Sequence, residues 1–384
     1  MIPYSRQFID NQDKKNILKV LSSDFLTTGP LVSKFENNLT KKFKCKYAVV
    51  VNSATSALHL SCLALGLKKK DYLWTSPISF VASSNCGLLC GSNIDFIDID
   101  EKTYNISLEN LKKKLSSIKN KSKIPKIIVP VHMAGNPVDL IELHKLAKKY
   151  RFKILEDASH ASGSKLGKSF IGSCKHSDVS VYSFHPVKTI TTGEGGAILT
   201  NSKTLYKKVK ILRNQGIERK KTSKKYSNSK PWHYDLNSLG FNYRMTDIQA
   251  ALGISQLKKI DKFILKRNQI ADYYKKKLSK KINFQHVKKN DKSTYHLFII
   301  TVDKKVRNKI IKKLLQLKIN TNIHYIPIYR HKYYVRKFNF DYKNFQNSER
   351  YYKEAISIPI YYSLTRTQQN KIINIINSFF YDSK

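Results

Sequence analysis

Between residues 47 and 200, seven short apolar runs recur with amphipathic stretches between them, and this alternation constrains the fold more than any other feature of the chain. The runs are 47–51, 73–78, 94–99, 126–132, 152–155, 179–184 and 197–200. A strand apolar on both faces needs cover on both, and intervening helices provide it, so the pattern is that of a mostly parallel sheet flanked by helices. Residues 56–65 read as the helix behind the first strand. Leu140, Leu143, His144 and Ala147 fall at i, i+3, i+4 and i+7, which predicts a helix over 140–150 with one buried face. Near Thr246 the pattern changes to one long helix, 246–278, followed by strands at 295–302 and 319–324 that alternate with helices at 304–317 and 367–378. The expectation is an α/β chain. Residues 1–245 form an N-terminal segment and a large domain, and 246–384 form a connecting helix, which can serve both units, and a smaller α+β domain.

With 384 residues and 41% of them apolar, the chain has enough material for two sizeable cores. A net charge of +44, from 71 Lys and Arg against 27 Asp and Glu, invites a nucleic-acid or membrane-surface reading. The lysines, however, are scattered in twos and threes from Lys14 to Lys384, which suits a solvated surface better than a phosphate groove. The densest stretch, 219–230, reads as a polar loop. The five cysteines, Cys45, Cys62, Cys86, Cys90 and Cys174, contain no Cys-x-x-Cys pair and fit neither a disulfide scaffold nor a zinc ribbon. His132, His144 and His176 lack metal-ligand spacing, so no metal is expected. The first residues lack the apolar core of a signal peptide, and no run approaches the ~20 apolar residues that span a bilayer. A cytoplasmic protein with no membrane or nucleic-acid partner is expected.

Three local patterns carry chemistry. In Ser183-Phe-His-Pro-Val-Lys188-Thr-Ile-Thr-Thr-Gly-Glu-Gly-Gly196, a lysine sits in a loop between two predicted buried strands, where Pro186 biases His185 toward an extended conformation and a fixed turn. Desolvation there lowers a lysine's pKa and suits it to act as a Schiff-base nucleophile. In Ile154-Leu155-Glu156-Asp157-Ala158-Ser159-His160, acids stand at the end of a strand, where open parallel sheets bind ligands. Glu156 reads as a helix N-cap, whereas Asp157 suits a pyridine nitrogen, keeping it protonated as an electron sink. In Asn52-Ser-Ala-Thr-Ser-Ala-Leu58, free N–H groups of a first helical turn and the hydroxyls of Thr55 and Ser56 make a phosphate cradle. Cradle, acid and lysine, in that chain order, describe a pyridoxal phosphate site.

The chain resembles the DegT-DnrJ-StrS sugar-nucleotide aminotransferases, fold-type I pyridoxal phosphate enzymes, over nearly its whole length. The resemblance rests on Ile2-Pro-Tyr-Ser-Arg6, Phe25-Leu-Thr-Thr-Gly-Pro30, Asn52-Ser-Ala-Thr-Ser-Ala-Leu-His59, Ser76-Pro-Ile-Ser-Phe-Val-Ala82, Glu156-Asp-Ala-Ser-His160, Ser183-Phe-His-Pro-Val-Lys188, Gly240-Phe-Asn-Tyr-Arg-Met-Thr-Asp247 and Ile323-His-Tyr-Ile-Pro-Ile328, all in family order. It implies that Lys188 holds pyridoxal 5'-phosphate covalently, that Asp157 pairs with the ring nitrogen, that His160 bonds the ring's phenolic oxygen and that Phe80 stacks on the ring. Ala54, Thr55 and Ser183 would hold the phosphate or face the bound adduct. Asn242 would reach the phosphate from the neighbouring subunit of a homodimer. Tyr4, the segment Asp24, Phe25, Leu26 and Thr27, and the segment Ile323, His324, Tyr325 and Ile326 resemble the parts that line the sugar-nucleotide pocket. Two departures are noted: Ala54 stands where many relatives have Gly, and Gln215 where many have His, at the expected pocket edge.

Within the family, Ser76-Pro-Ile-Ser-Phe-Val-Ala82, the Lys188 block and His324-Tyr-Ile-Pro-Ile-Tyr329 look most like the transaminases that form UDP-4-amino-4,6-dideoxy-N-acetyl-β-L-altrosamine in pseudaminic acid synthesis. The implied activity is amino transfer from L-glutamate to C4 of a UDP-linked 4-keto-6-deoxy-2-acetamido sugar. The alternatives are an aminotransferase for another nucleotide-linked keto-sugar and a dehydratase of the same fold. Relatives of the second kind carry His in place of the lysine, so Lys188 argues against it. A non-catalytic nucleic-acid-binding protein has no need of a Schiff-base lysine.

Overall fold

A computed structural model describes residues 1–218, 232 and 234–380. The predicted loop at 219–230 falls outside the described residues. The predicted strands form one seven-stranded sheet from β1 (Tyr47–Val51), β2 (Tyr72–Thr75), β3 (Asn93–Phe96), β4 (Ile127–Val129), β5 (Lys153–Asp157), β8 (Val179–Ser183) and β9 (Gly196–Thr200); β6 (Lys165–Leu166) and β7 (Ser169–Phe170) form a separate small hairpin. The order is β1-β9-β8-β5-β4-β2-β3. All neighbours are parallel except β9, which runs antiparallel to both β1 and β8. Several strands are shorter than the apolar runs that predicted them, because the ends of the runs leave the sheet: residues 76–78 and 130–132 continue into loops above it.

Helices α1 (Asn11–Leu21), α2 (Pro30–Phe43), α3 (Ala54–Ala64), α4 (Ala82–Leu89), α5 (Leu108–Ser117), α6 (Leu140–Tyr150) and α7 (Lys203–Arg213) belong to the large unit. Helix α6 matches its periodicity residue for residue. Helices α1 and α2 have no counterpart in the sequence reading. Helix α3 is buried nearly all round, with Leu58, Leu60 and Cys62 at 1% exposure or less, which is why its sequence lacks a polar stripe. Two apolar clusters, one on each face, fill the space between sheet and helices; Trp74, Ile128 and Ile154 enter one, and Val49, Leu73, Val129 and Leu155 the other.

The predicted single helix over 246–278 is two helices, α8 (Asp247–Leu257) and α9 (Ile260–Lys277). At the break, Lys259 extends its ammonium to Asp10 (2.9 Å) and Asp13 (2.6 Å), tying α1 to the junction. Ala250, Ile254, Leu257, Ile260 and Phe263 pack into an apolar cluster of the large sheet, and Ile270, Ala271 and Tyr274 into a separate cluster with Ile300 and Ile356.

The small domain has a three-stranded antiparallel sheet of β12 (Asn283–Phe284), β13 (Phe298–Thr301) and β14 (Ala355–Ile358), after a two-stranded ribbon of β10 (Ile217–Glu218) and β11 (Asp235–Leu236). Helices α10 (Lys304–Gln316) and α13 (Arg366–Asn377) cover it, with the shorter α11 (Lys332–Lys337) and α12 (Gln346–Glu354) between them in the chain. Ile300, Ile310, Leu314, Ile356, Ile372 and Ile376 form its core. The strand predicted at 319–324 does not form. In place of a strand, the segment forms two isolated bridges, Ile319 to Ile2 and Asn322 to Ser357.

Candidate active site

The sheet register assembles the three chemical segments. Gly196, at the start of β9, is paired on one side with Val51, the last residue of β1, and on the other with Ser183, the last residue of β8. Next along, Asp157 ends β5 opposite Val181. The turn into α3, the loop that follows β8 and the loop that follows β5 therefore open at one edge of the sheet, where ligand sites of such folds lie.

A cavity of about 490 Å³ occupies that edge. Its lining includes Tyr4, Ala54, Thr55, Phe80, Asp157, His160, Ser183, Lys188, His324 and Tyr325. The structure thus brings together ten of the expected residues, drawn from the N-terminal segment, the large domain and the small domain.

The phosphate cradle begins at Ser53, the N-cap of α3. Its hydroxyl accepts the Ser56 N–H (3.1 Å) and its carbonyl the Ala57 N–H (3.0 Å). The amides of Ala54 and Thr55 are those that a first helical turn leaves without an intrahelical partner. A Cβ on Gly196 would stand 2.7 Å from Ala54 N and from Ser53 C, so only glycine lets β9 approach this turn so closely.

Lys188 lies in a loop held at several points. Its N–H donates to the His185 carbonyl (2.9 Å), the Ser5 hydroxyl donates to the Val187 carbonyl (3.1 Å), and the Thr191 hydroxyl donates to the Phe184 carbonyl (2.9 Å). This is the fixed turn expected from Pro186. Among the described residues no carboxylate lies within ion-pair distance of its ammonium. Burial lowers its pKa to about 8, while the charge of Asp157 pulls the other way.

Asp157 is held through both oxygens. Oδ2 accepts the Ser83 hydroxyl (2.6 Å) and Oδ1 the Ser159 N–H (3.1 Å). His160 accepts the Ala134 N–H at Nδ1 (3.3 Å), and its Nε2 lies 3.1 Å from the Tyr325 hydroxyl. An imidazole accepting at Nδ1 and neutral must carry its proton on Nε2, so His160 donates to Tyr325. Burial, reinforced by the nearby Lys188, holds His160 well below the ordinary histidine range, and the same two causes bring His324 down to about 3. His324 is fixed by Ser357, 2.8 Å from Nδ1, and its ring lies 5.4 Å from that of Tyr4. Phe80 is 57% exposed at the cavity, its ring 6.2 Å from Tyr325.

Other expected residues lie outside this cavity. Asp24, Phe25, Leu26 and Thr27 are exposed, and Phe25 instead lines a groove with Pro30, Leu31 and Asp247. Ile323 and Ile326 flank His324 and Tyr325 without lining the cavity. Asn242 is exposed beside a bridge to Asn214, and Gln215 is exposed with φ 62°, away from the cavity edge where it was expected. Glu156 is not a helix cap. It lies inside β5 at 1% exposure, where it meets His132 Nε2 at 3.0 Å and accepts a hydrogen bond from the Ser177 hydroxyl. Two residues before the turn, its side chain alternates to the face that buries His132. Among the described residues no group of His, Cys, Asp and Glu could hold a metal, and all five cysteines are free.

The sequence reading missed Ser79, His296, Glu194 and Asn322, which also line the cavity, and Ser83 behind it. Ser79 and Glu194 lie within the quoted blocks without being singled out there, and Ser83, His296 and Asn322 carry no local pattern that separates them from ordinary helix, strand or loop residues.

A model of the DegT/DnrJ/EryC1/StrS aminotransferase family matches residues 7–377. The UDP-4-amino-4,6-dideoxy-N-acetyl-beta-L-altrosamine transaminase of Campylobacter jejuni is 40% identical over 364 residues, covering 94% of this chain and 92% of that protein. Helicobacter pylori PseC, an aminotransferase involved in the biosynthesis of pseudoaminic acid, superposes with a TM-score of 0.89 at 34% identity, covering 99% of each chain. The PLP-form of Spr1654, a sugar aminotransferase from Streptococcus pneumoniae, gives 0.89 at 26% identity, covering 98% of each.

Proposed function

The chain belongs to the DegT/DnrJ/EryC1/StrS aminotransferase family, and on that premise we propose that it transfers an amino group from L-glutamate to C4 of a UDP-linked 4-keto-6-deoxy-2-acetamido sugar. The product would be UDP-4-amino-4,6-dideoxy-N-acetyl-β-L-altrosamine, the sugar named in the Campylobacter jejuni relative. The observation that carries the reading is the meeting of a lysine of lowered pKa, a doubly held aspartate and a helix N-terminus in one cavity.

Pyridoxal 5'-phosphate fits this donor set. Ala54 and Thr55 offer amides to its phosphate beside the space that Gly196 keeps clear, with Ser183 at the same edge. Phe80 offers an exposed ring face, Asp157 an oriented carboxylate and Lys188 an amine. When bound, the cofactor supplies an aldehyde for amine exchange and a protonated ring that withdraws electrons from the reacting carbon.

The chain's own residues supply the rest. Lys188, its pKa lowered to about 8, has a neutral amine available far more often than an ordinary lysine, so its Nζ would hold the cofactor and could take and return the proton at the reacting carbon. Asp157 holds the ring-nitrogen proton in both half-reactions. His160, neutral and with its Nε2–H given to Tyr325, leaves the Tyr325 O–H free to donate into the cavity that both residues line. Tyr4, His324 and Tyr325 would face the nucleotide-linked sugar from the small-domain side.

The reading includes a homodimer in which the partner presents Asn242, which is exposed here, to the phosphate end. The exposure of Phe25 (55%), Leu236 (69%) and Leu239 (83%) leaves apolar surface for such a contact. It also includes a cytoplasmic setting, in keeping with free thiols. Among the described residues no helix is long and apolar enough to cross a membrane.

The test is an absorbance spectrum of the protein with pyridoxal phosphate, before and after L-glutamate, followed by a panel of nucleotide-linked keto-sugars read by mass. Glutamate should convert the bound cofactor to its amine form, and one UDP-4-keto sugar should reverse the change. Lys188→Ala should lose turnover yet bind pyridoxamine phosphate; normal turnover in that variant would sink the assignment.

A further inference from the structure

We propose that Ser83, oriented in turn by Ser79, is a positioning residue that sets the Asp157 carboxylate for the ring nitrogen of the cofactor; this rests on the role given to Asp157 above. Ser83 Oγ lies 2.6 Å from Asp157 Oδ2, and Ser79 Oγ lies 2.7 Å from Ser83 Oγ. Ser83 is 0% exposed, Ser79 2% and Asp157 5%, so water does not compete for these contacts.

The direction of the hydrogen bonds follows from the chemistry. An ionised carboxylate only accepts, so the one Ser83 proton is committed to Asp157, and Ser79 must donate to Ser83. The 2.6 Å separation is that of a charge-assisted O–H···O bond. With Ser159 N–H on Oδ1, each carboxylate oxygen has one fixed donor. The carboxylate plane is thereby locked, and the remaining lone pairs are left for the cavity that Asp157 lines. Without Ser83, Oδ2 becomes a buried acceptor short of a donor, and the group is free to rotate about Cβ–Cγ.

The placement also links Asp157 to the ring-facing aromatic. Ser83 is the second residue of α4, and its N–H donates to the Phe80 carbonyl (3.2 Å). A single turn of chain therefore carries both Phe80, at the cavity, and the hydroxyl that orients the acid.

The test uses the full chain freed of cofactor and titrated with pyridoxal 5'-phosphate and with its 1-deaza analogue, in which C–H replaces the ring nitrogen. Ser83→Ala should weaken pyridoxal phosphate binding about 10- to 150-fold, as loss of one hydrogen bond to a charge implies, but the analogue by no more than about 2-fold. Ser83→Thr, which keeps the hydroxyl, should restore most of the difference. In turnover, Ser83→Ala should lower kcat with little change in the KM for glutamate.

Ser84→Ala is the control. Its hydroxyl bonds Tyr334 (2.6 Å) at similar depth on the same helix but does not reach Asp157, so both ligands should bind it as they bind the parent. Equal loss of both ligands in Ser83→Ala, or no loss of either, would overturn the proposal. Asp157→Ala separates the two levels. If it loses the preference for the nitrogen-bearing ligand while Ser83→Ala keeps it, Ser83 alone is misassigned. If Asp157→Ala keeps the preference, the role of Asp157 fails and this proposal falls with it.

Discussion

Replacing Asp157 by Asn in the cofactor-free protein should make Lys188 more reactive at neutral pH, not less. Burial takes the Lys188 amine from 10.5 to about 8, and the negative charge of Asp157 opposes that shift by favouring the ammonium. At pH 8 an ordinary lysine is about 0.3% neutral, against half for one titrating at that pH, so the neutral fraction of Lys188 is about 150-fold larger. Trace acetylation across a pH series, with peptide mapping and exposed lysines of the same sample as internal standards, measures this directly. Lys188 labelling should rise with pH through a midpoint near 8 in the parent, because only the neutral amine reacts. Asp157→Asn removes the opposing charge, so its midpoint should lie lower still. A parent midpoint near 10, or an upward shift in Asp157→Asn, would refute the account of how this pocket activates its lysine.

Three further outcomes follow from the geometry. Gly196→Ala would press a Cβ to 2.7 Å from Ala54 N and Ser53 C, so pyridoxal phosphate affinity, followed by absorbance titration, should fall about tenfold or more as the cradle is displaced. Asp247, at 1% exposure, accepts the N–H groups of Gly29 (3.0 Å), Leu31 (3.2 Å) and Val32 (3.0 Å), capping α2 from α8. Asp247→Ala should therefore cost about 3 kcal/mol in urea unfolding, with Asp247→Asn recovering part of it. If the net charge of +44 draws the UDP diphosphate toward the cleft, kcat/KM for the keto-sugar should fall several-fold as salt is raised from about 0.02 to 0.3 M. A flat salt response would leave the charge without a role in substrate capture.

Where a residue's placement depends on its immediate chain neighbours, the sequence was a sufficient guide. Lys188 stands in a Ser/Thr/Gly loop between two buried strands, Asp157 ends a strand, and Thr55 opens a helix behind another; each is legible within a window of a few residues. The same locality explains why α6 could be read to the residue from its apolar spacing. Segments whose partners lie outside the cavity-forming motifs were less legible: Asp24 to Thr27 carry family-like residues but are exposed on this chain.

The sequence by itself determined the seven strands of the large sheet, helices such as α6 and which residue types stand at the strand ends, because dihedral preference and amphipathic period are set over one or two turns of chain. Tertiary structure decided the rest. It tied the junction between α8 and α9 to α1, where Lys259 reaches Asp13 and Asp10, 246 and 249 residues away. It buried Glu156 against His132, withdrew 319–324 from the sheet, and set Ser83 on Asp157 across a separation of 74 residues. A buried polar group must find its partner wherever the fold supplies one, and no local pattern encodes that address.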